Sequence, residues 1–154
     1  MLQLVCVHTD AQIHAAVSNL VAPARAFKPD VIIAIGGGGF IPARMLRTEL
    51  KVPVLAISLE LYDDNTNTRN TTVKKTQWFD EQSGVGSQVR GKRVLIMDEV
   101  DDTRTTLAYA VREVMKTNAP SHIAVAVHSP HYLNMQSGIR ILIIPWNFFT
   151  LLNF

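Results

Sequence analysis

Short apolar runs, separated by glycine, proline or polar residues, dominate the pattern of this chain. Residues 31–35 form a continuous apolar run that is too short for a helix of its own and is typical of a strand buried on both faces. Similar runs predict four further strands, at 52–59, 93–97, 123–127 and 139–144. The pattern therefore favours a sheet with a buried centre.

Apolar residues at helical spacing predict three helices. A helix is expected over 10–20, capped by Asp10, and Pro23 marks its end or a kink. Two more are expected over 40–47 and 105–116. Strands that alternate with helices imply right-handed crossovers and an α/β fold with a mainly parallel central sheet flanked by helices. Ligands of such folds bind at the carboxyl ends of the strands.

One long polar segment interrupts this alternation. It extends from Tyr62 to Gly91, and residues 65–72 carry almost no apolar side chain. A segment this long without core residues is usually functional or mobile. The length of 154 residues and the 47% of hydrophobic residues fit one compact unit, so residues 1–154 are expected to form a single domain.

Composition excludes several classes of protein. Lys and Arg number 15 against 13 Asp and Glu, and no basic stripe is visible, so no nucleic-acid partner is expected. The single cysteine, Cys6, excludes an internal disulfide. No run approaches the roughly 20 apolar residues that span a bilayer, so no membrane contact and a cytoplasmic location are expected. The apolar stretch 139–154 favours a subunit contact, hence a homodimer or larger homo-oligomer.

The strongest chemical signal lies at residues 94–107, where an apolar strand, two acids and a hydroxyl-rich turn lead into a helix. Backbone N–H groups at a helix N-terminus can bind a phosphate, and threonine hydroxyls can join them. The threonines at this point are Thr103, Thr105 and Thr106. The carboxylates of Asp98 and Glu99 can accept hydrogen bonds from ribose hydroxyls and hold the hydration shell of Mg²⁺. The motif predicts a site for a phosphorylated sugar.

Other interpretations of these residues are weaker. An acidic run is usually a solvated face, but the apolar strand before this one and the threonine turn after it argue against that. The glycines at 36–39 fail as a dinucleotide fingerprint, because Ile41 occupies the third glycine position. They also lack the Gly-Lys-Ser/Thr of a Walker loop. The histidines show no metal-ligand spacing.

The segment from Asp98 to Thr106 resembles the phosphoribosyl pyrophosphate signature of type I phosphoribosyltransferases. Residues 28–44 and 76–78 resemble the fungal-type hypoxanthine-guanine enzymes of that family. Three segments that agree in order are far more specific than one short pattern. The resemblance implies a type I phosphoribosyltransferase fold with a mobile hood loop, whose position matches the segment 62–75.

The resemblance also implies an activity. Such an enzyme transfers ribose 5-phosphate from phosphoribosyl pyrophosphate to N9 of hypoxanthine, guanine or xanthine. It releases pyrophosphate, requires Mg²⁺ and serves purine salvage. Asp102 would then be the catalytic group that manages the purine proton near N7. The 5-phosphate would be held by Asp102, Thr103, Arg104, Thr105 and Thr106.

The remaining site residues follow from the same resemblance. Gly37 and Gly38 match the pyrophosphate loop, where a strained or cis peptide presents N–H groups to the leaving diphosphate. Asp98 and Glu99 would face the ribose, with Glu99 also at the metal. The residues expected at the purine are Val100, His128 and Trp146.

The chain departs from the family pattern at three positions. Arg104 stands where most relatives have glycine, and Gly37 stands where a basic residue is common, with Arg44 or Lys74 as alternative cations. His128 stands near the position of a late lysine that reads the 6-oxo group, which leaves the preferred base open. The second hypothesis is therefore a noncatalytic module that senses phosphoribosyl pyrophosphate or a nucleotide. A pyrimidine-specific enzyme fits Asp102 less well.

Overall fold

The computed structural model describes residues 10–63, 71–79, 84–98, 105–128 and 139–144. The helices in these ranges are α1 (Asp10–Phe27), α2 (Phe40–Leu50) and α3 (Thr105–Asn118). The strands are β1 (Val31–Ile35), β2 (Val54–Asp63), β3 (Thr71–Gln77), β4 (Arg93–Asp98), β5 (His122–His128) and β6 (Ile139–Ile144). None of these helices is both long enough and apolar enough to span a lipid bilayer.

The six strands form one sheet in the order β3-β2-β1-β4-β5-β6. The four central strands run parallel, while β3 pairs with β2 and β6 pairs with β5 in antiparallel fashion. This confirms the predicted α/β fold with a mainly parallel sheet. The chain passes from β1 to its neighbour β2 and later crosses to β4 on the other side of β1. The strand order therefore reverses between β1 and β4, and such a switch point is where open α/β sheets bind ligands.

The central strands bury both faces, as their continuous apolar runs predict. All five residues of β1 are buried. On one face of the sheet, Ile33 of β1 and Ile96 of β4 pack against α3 through Val111 and Val114. On the opposite face, Ile32 packs against a cluster that joins the sheet to the two other helices. That cluster includes Leu20, Ala24, Phe27, Ala43, Leu46, Leu95 and Met97.

The boundary predicted for the first helix is wrong. Helix α1 continues through Pro23 and ends at Phe27. Leu20, Ala24 and Phe27 continue its apolar stripe and are buried, each at most 2% exposed. Burial of that stripe outweighs the helix-breaking tendency of proline.

The polar segment 62–91 contains a strand that the sequence did not predict. Strand β3 is an edge strand, so it needs no continuous apolar run, and Lys74, Thr76 and Gln77 are exposed. The expected hood, residues 62–75, therefore comprises the end of β2 and the beginning of β3, which are the two arms of an antiparallel hairpin. Residues 64–70 lie outside the described ranges, and the mobility of the hood stays a prediction. So does the single domain over 1–154.

A polar clamp joins the amino ends of β1 and β4. The backbone N–H of Arg93 donates to Oδ2 of Asp30 at 2.8 Å, and the N–H of Asp30 donates to the carbonyl oxygen of Arg93 at 2.8 Å. The Arg93 side chain also donates from Nε to the carbonyl oxygen of Phe27 at 2.7 Å, with its guanidinium 4.5 Å from the centroid of the Phe27 ring. These contacts fix the two strands relative to each other and to the end of α1.

We predict that Asp30→Ala lowers the free energy of unfolding by about 1 to 2 kcal/mol, because a charge-assisted hydrogen bond to a strand amide is lost. Asp30→Asn keeps an oxygen acceptor and should lose less. Urea unfolding of the three proteins measures the difference. Equal stability of Asp30→Ala and the wild type would contradict a role for this clamp.

Candidate functional site

A glycine loop follows β1 at the carboxyl edge of the sheet. Residues Gly37–Gly39 form a single 3₁₀ turn, and α2 begins directly afterwards at Phe40. The backbone N–H of Gly36 donates to the carbonyl oxygen of Ile57 at 2.6 Å, which ties the loop to β2. Gly37 has a φ of +65°, a conformation that other residues adopt only with strain. No peptide bond among the described residues is cis, and glycine adopts this φ without strain, so the loop has neither of the two expected geometries.

Gly39 brings this loop into direct contact with the carboxyl end of β4. A Cβ atom added at Gly39 would lie 2.5 Å from the carbonyl oxygen of Met97 and 3.4 Å from Cα of Asp98. No side chain fits between the two segments. The glycine loop and the first acid of the motif are therefore neighbours across the switch point, as the parallel-sheet interpretation requires.

Ser58 contacts the loop from the other side. A Cβ atom at Gly36 would lie 2.4 Å from Oγ of Ser58. The pairing of β2 with β3 shifts register between Ser58 and Leu59, and a bulge at a sheet edge re-aims side chains toward neighbouring sites. The sequence did not single out Ser58, because a bulge leaves no signal in the apolar pattern of one strand.

Asp98 and the N-terminus of α3 border the same part of the edge. Asp98 is the last residue of β4 and is half-buried. Thr105 and Thr106 are the first residues of α3, and both are also half-buried. The first N–H groups of a helix point out of its N-terminus, and together with the helix dipole they favour an anion at this end of α3. The edge thus offers glycine amides on one side of Asp98 and a helix N-terminus in the segment after it.

Several predicted site residues lie outside the described ranges: Glu99, Val100, Asp102, Thr103, Arg104 and Trp146. His128 is the last residue of β5, next to the position where Val127 pairs with Asp98, so its backbone lies at the carboxyl edge. Strand β6 runs the other way, with Ile144 opposite Ile123. The described end of β6 therefore lies at the amino end of β5.

The two alternative cations lie on α2 and on β3. Arg44 lies on the exposed surface of α2, and its Nη1 donates to Oγ1 of Thr48 at 3.1 Å, one turn further from the loop. Lys74 is exposed in β3, where it pairs with Glu60 across the strands. The Arg44 side chain thus extends away from Gly37, and Lys74 as an alternative cation stays a prediction.

The carboxylate described at this edge, Asp98, supplies oxygen ligands of the kind that Mg²⁺ prefers. Among the described residues, no group of three His, Cys, Asp or Glu side chains is arranged to bind a metal ion. Asp98 is the described carboxylate beside the glycine loop. Mg²⁺ usually keeps several waters and binds through one or two carboxylates together with substrate phosphates. The residues present fit that mode of binding.

Two curated relatives are similar to much of the chain. A family model described as the phosphoribosyl transferase domain matches residues 11–150. The hypoxanthine-guanine phosphoribosyltransferase of Schizosaccharomyces pombe is 52% identical over 101 residues, which are 58% of this chain and 49% of that protein. The protein of the same name from Saccharomyces cerevisiae is 45% identical over 130 residues, 77% of this chain and 58% of that protein. The chain spans about half the length of the curated relatives it matches.

A solved structure shares the fold. A hypothetical protein from Neisseria gonorrhoeae, solved with bound ppGpp, is 42% identical and superposes with a TM-score of 0.69. The match covers 79% of this chain and 69% of that chain. The agreement supports the sheet order and the position of the switch point.

The two glycines of the loop should respond differently to substitution. Gly39→Ala forces a methyl group against backbone atoms of β4, and such overpacking should cost about 2 to 3 kcal/mol. A Cβ at Gly37 meets no atom within 4 Å, so Gly37→Ala should cost only about 1 kcal/mol, from its positive φ. Urea unfolding of both variants checks the order. A larger loss for Gly37→Ala would contradict the close approach at Gly39.

Proposed function

The chain belongs to the phosphoribosyltransferase family, and on that premise we propose that it is a 6-oxopurine phosphoribosyltransferase. It would transfer ribose 5-phosphate from phosphoribosyl pyrophosphate to N9 of hypoxanthine, guanine or xanthine in purine salvage. The observation that carries this proposal is the contact of Gly39 with Met97 and Asp98. The names of the two yeast relatives support the choice of 6-oxopurines.

We assign the two phosphate-bearing ends of the substrate to different segments. The 5-phosphate would bind the amides of the loop 102–106 and the hydroxyls of Thr105 and Thr106 at the start of α3. The diphosphate would bind the backbone N–H groups of Gly37 and Gly38, whose turn forms an anion-binding concavity. Asp98, which neighbours the glycine loop, would accept hydrogen bonds from the ribose hydroxyls.

Mg²⁺ fits the same arrangement. Asp98 and Glu99 are the residues we propose to hold its hydration shell. When bound, the ion would neutralise the charge that accumulates on the departing diphosphate. The protein contributes the orientation of the sugar and of the diphosphate relative to each other.

The reaction forms a bond between N9 of the base and C1 of the sugar while the bond from C1 to the diphosphate breaks. Positive charge develops on the sugar ring, and the base loses a proton. We propose that Asp102 manages this proton near N7. Holding both reactants in attack geometry supplies much of the acceleration. The hairpin of β2 and β3 is the segment that would close over the centre and exclude water.

The purine would lie beyond the carboxyl end of β5. His128 is the expected purine residue whose backbone position is described at this edge. Val100 and Trp146 stay expectations from the family resemblance. The end of β6 at Ile144 lies at the opposite edge.

A second candidate function is a noncatalytic module that senses phosphoribosyl pyrophosphate or a nucleotide. The relative from Neisseria gonorrhoeae was solved with bound ppGpp, which shows that this fold accepts a nucleotide in that protein. The absence of the late lysine and the presence of Arg104 also favour this alternative. Both candidates use the same glycine loop and helix N-terminus, so turnover is what separates them.

We further propose a cytoplasmic homodimer or larger homo-oligomer. Phe40 and Ile41, directly after the glycine loop, are 39% and 58% exposed. Adjacent apolar side chains that face solvent are typical of an interaction surface. The single cysteine agrees with a cytoplasmic location, since a lone thiol is tolerated in a reducing compartment.

Pyrophosphate release with phosphoribosyl pyrophosphate, Mg²⁺ and each base in turn tests the transferase. We expect turnover with at least one of hypoxanthine, guanine and xanthine, and none with orotate. No turnover with any purine would overturn the proposal. Tight binding of phosphoribosyl pyrophosphate in calorimetry without turnover would establish the sensing module instead.

Asp102→Asn should lower turnover by roughly 10² to 10⁴ fold, which is the usual effect of losing general acid or base assistance. The amide keeps the size of the carboxylate and removes its ability to take a proton. Steady-state kinetics with the preferred base measures the effect, with Asp10→Asn on the exposed start of α1 as the control. An unchanged turnover number would remove Asp102 from this role.

A further inference from the structure

One ion pair joins the arm of the hairpin to helix α3. Nζ of Lys75 in β3 contacts Oε1 of Glu113 in α3. The two side chains are only 29% and 18% exposed. The pair between Arg25 and Glu49, which links α1 to α2, is exposed by 60% and 49%. The shielded pair is less screened by water and by salt than the exposed one.

An aromatic pair holds the lysine from a second side. Nζ of Lys75 lies 4.7 Å from the centroid of the Trp78 ring, a cation–π distance. Trp78 stacks on Phe79 with ring centroids 5.6 Å apart, and both pack against the core on the α3 side of the sheet. The indole Nε1 is buried and has no acceptor among the described residues. The Trp78 ring is therefore fixed by packing and stacking, and it holds the Lys75 ammonium beside Glu113.

The pair connects two parts of the proposed site. Strand β3 is the outer arm of the hairpin and pairs only with β2 in the described sheet. Helix α3 begins at Thr105, and Glu113 lies seven residues after Thr106. Seven residues are two helical turns, so the two residues lie on the same side of α3, about 10 Å apart along the axis. Helix α3 thus connects the proposed phosphate site at its N-terminus to strand β3.

We propose that Lys75 and Glu113 are positioning residues that fix the hairpin arm relative to the phosphate-binding end of α3. The inference rests on the proposed binding of phosphoribosyl pyrophosphate. Neither side chain touches substrate in this account. Their pair fixes β3 relative to α3, whose N-terminus is the proposed phosphate site, so losing the pair weakens binding of phosphoribosyl pyrophosphate and leaves the bond-breaking step intact.

The test compares Glu113→Gln and Lys75→Met with Arg25→Gln, which breaks the exposed pair and serves as the matched control. Hydrogen exchange of the amides in residues 71–77 is measured first, because it requires no substrate. We expect exchange about tenfold faster in both variants of the shielded pair and unchanged in the control. Exchange equal to that of the wild type would overturn the coupling.

Kinetics then separates positioning from a general loss of structure. We expect the KM for phosphoribosyl pyrophosphate to rise about fivefold in Glu113→Gln while kcat changes less than twofold. Lys75→Arg keeps the charge and should leave the KM near the wild-type value. The swapped pair Lys75→Glu with Glu113→Lys should recover most of the affinity that Glu113→Gln loses. If Glu113→Gln instead lowers both kcat and the melting temperature and leaves KM unchanged, the pair is merely structural and the proposal is overturned.

The outcomes remain distinguishable if the transferase proposal fails. Should the wild type show no turnover, the dissociation constant of phosphoribosyl pyrophosphate from calorimetry replaces KM, with the same fivefold weakening expected. Faster exchange in 71–77 in the variants, with no binding of phosphoribosyl pyrophosphate by the wild type, would confirm that the pair couples β3 to α3. It would overturn the claim that this coupling supports binding. No faster exchange with normal turnover would remove the link and keep the enzyme.

Discussion

The arrangement of the candidate site depends on one backbone contact, between Gly39 and the carboxyl end of β4. The loop after β1 can meet Met97 and Asp98 only because residue 39 has no Cβ. Two parallel neighbours end at the same edge of a sheet, and here the strand order also reverses between them. The glycine loop and Asp98 are therefore neighbours, and α3 begins in the segment that follows Asp98. Under the proposed function, these are the groups that a substrate with two phosphate-bearing ends and a sugar between them requires.

The amino edge of the sheet carries stabilising contacts, and the carboxyl edge carries the candidate site. At the amino ends, Asp30, Arg93 and Phe27 join β1, β4 and α1 by backbone and side-chain hydrogen bonds. At the carboxyl ends, the chain leaves the sheet in glycine and hydroxyl-rich segments. Helices α1 and α2 cover one face and α3 covers the other, so the polar edge is supported by a core in which both faces of β1 are buried. The carboxyl edge can be polar because the opposite edge and both faces hold the strands in place.

The sequence predicted most of the strands because their signal is local. A short apolar run such as Val31–Ile35 or Ile139–Ile144 identifies a strand by itself, and the observed bounds agree with the prediction. The end of α1 depends on which residues pack beneath the helix. The prediction that α1 ends before Pro23 was wrong because a local proline signal does not show that packing. Strand β3 was missed because an edge strand needs few apolar residues. The contacts of Ser58 with the glycine loop and of Lys75 with Glu113 join residues distant in sequence, and no local pattern encodes them. Asp98, Gly37 and Gly38 could be proposed from the sequence because each belongs to a motif that is continuous along the chain.

A structure of the protein with phosphoribosyl pyrophosphate and Mg²⁺ tests the central claim most directly. The account predicts the diphosphate on the backbone N–H groups of Gly37 and Gly38, the ribose hydroxyls at Asp98, and the 5-phosphate at the start of α3 beside Thr106. A ligand bound away from the crevice between β1 and β4 would contradict it. So would a complex in which Asp98 and Thr106 face different sides of the sheet with no cleft between them.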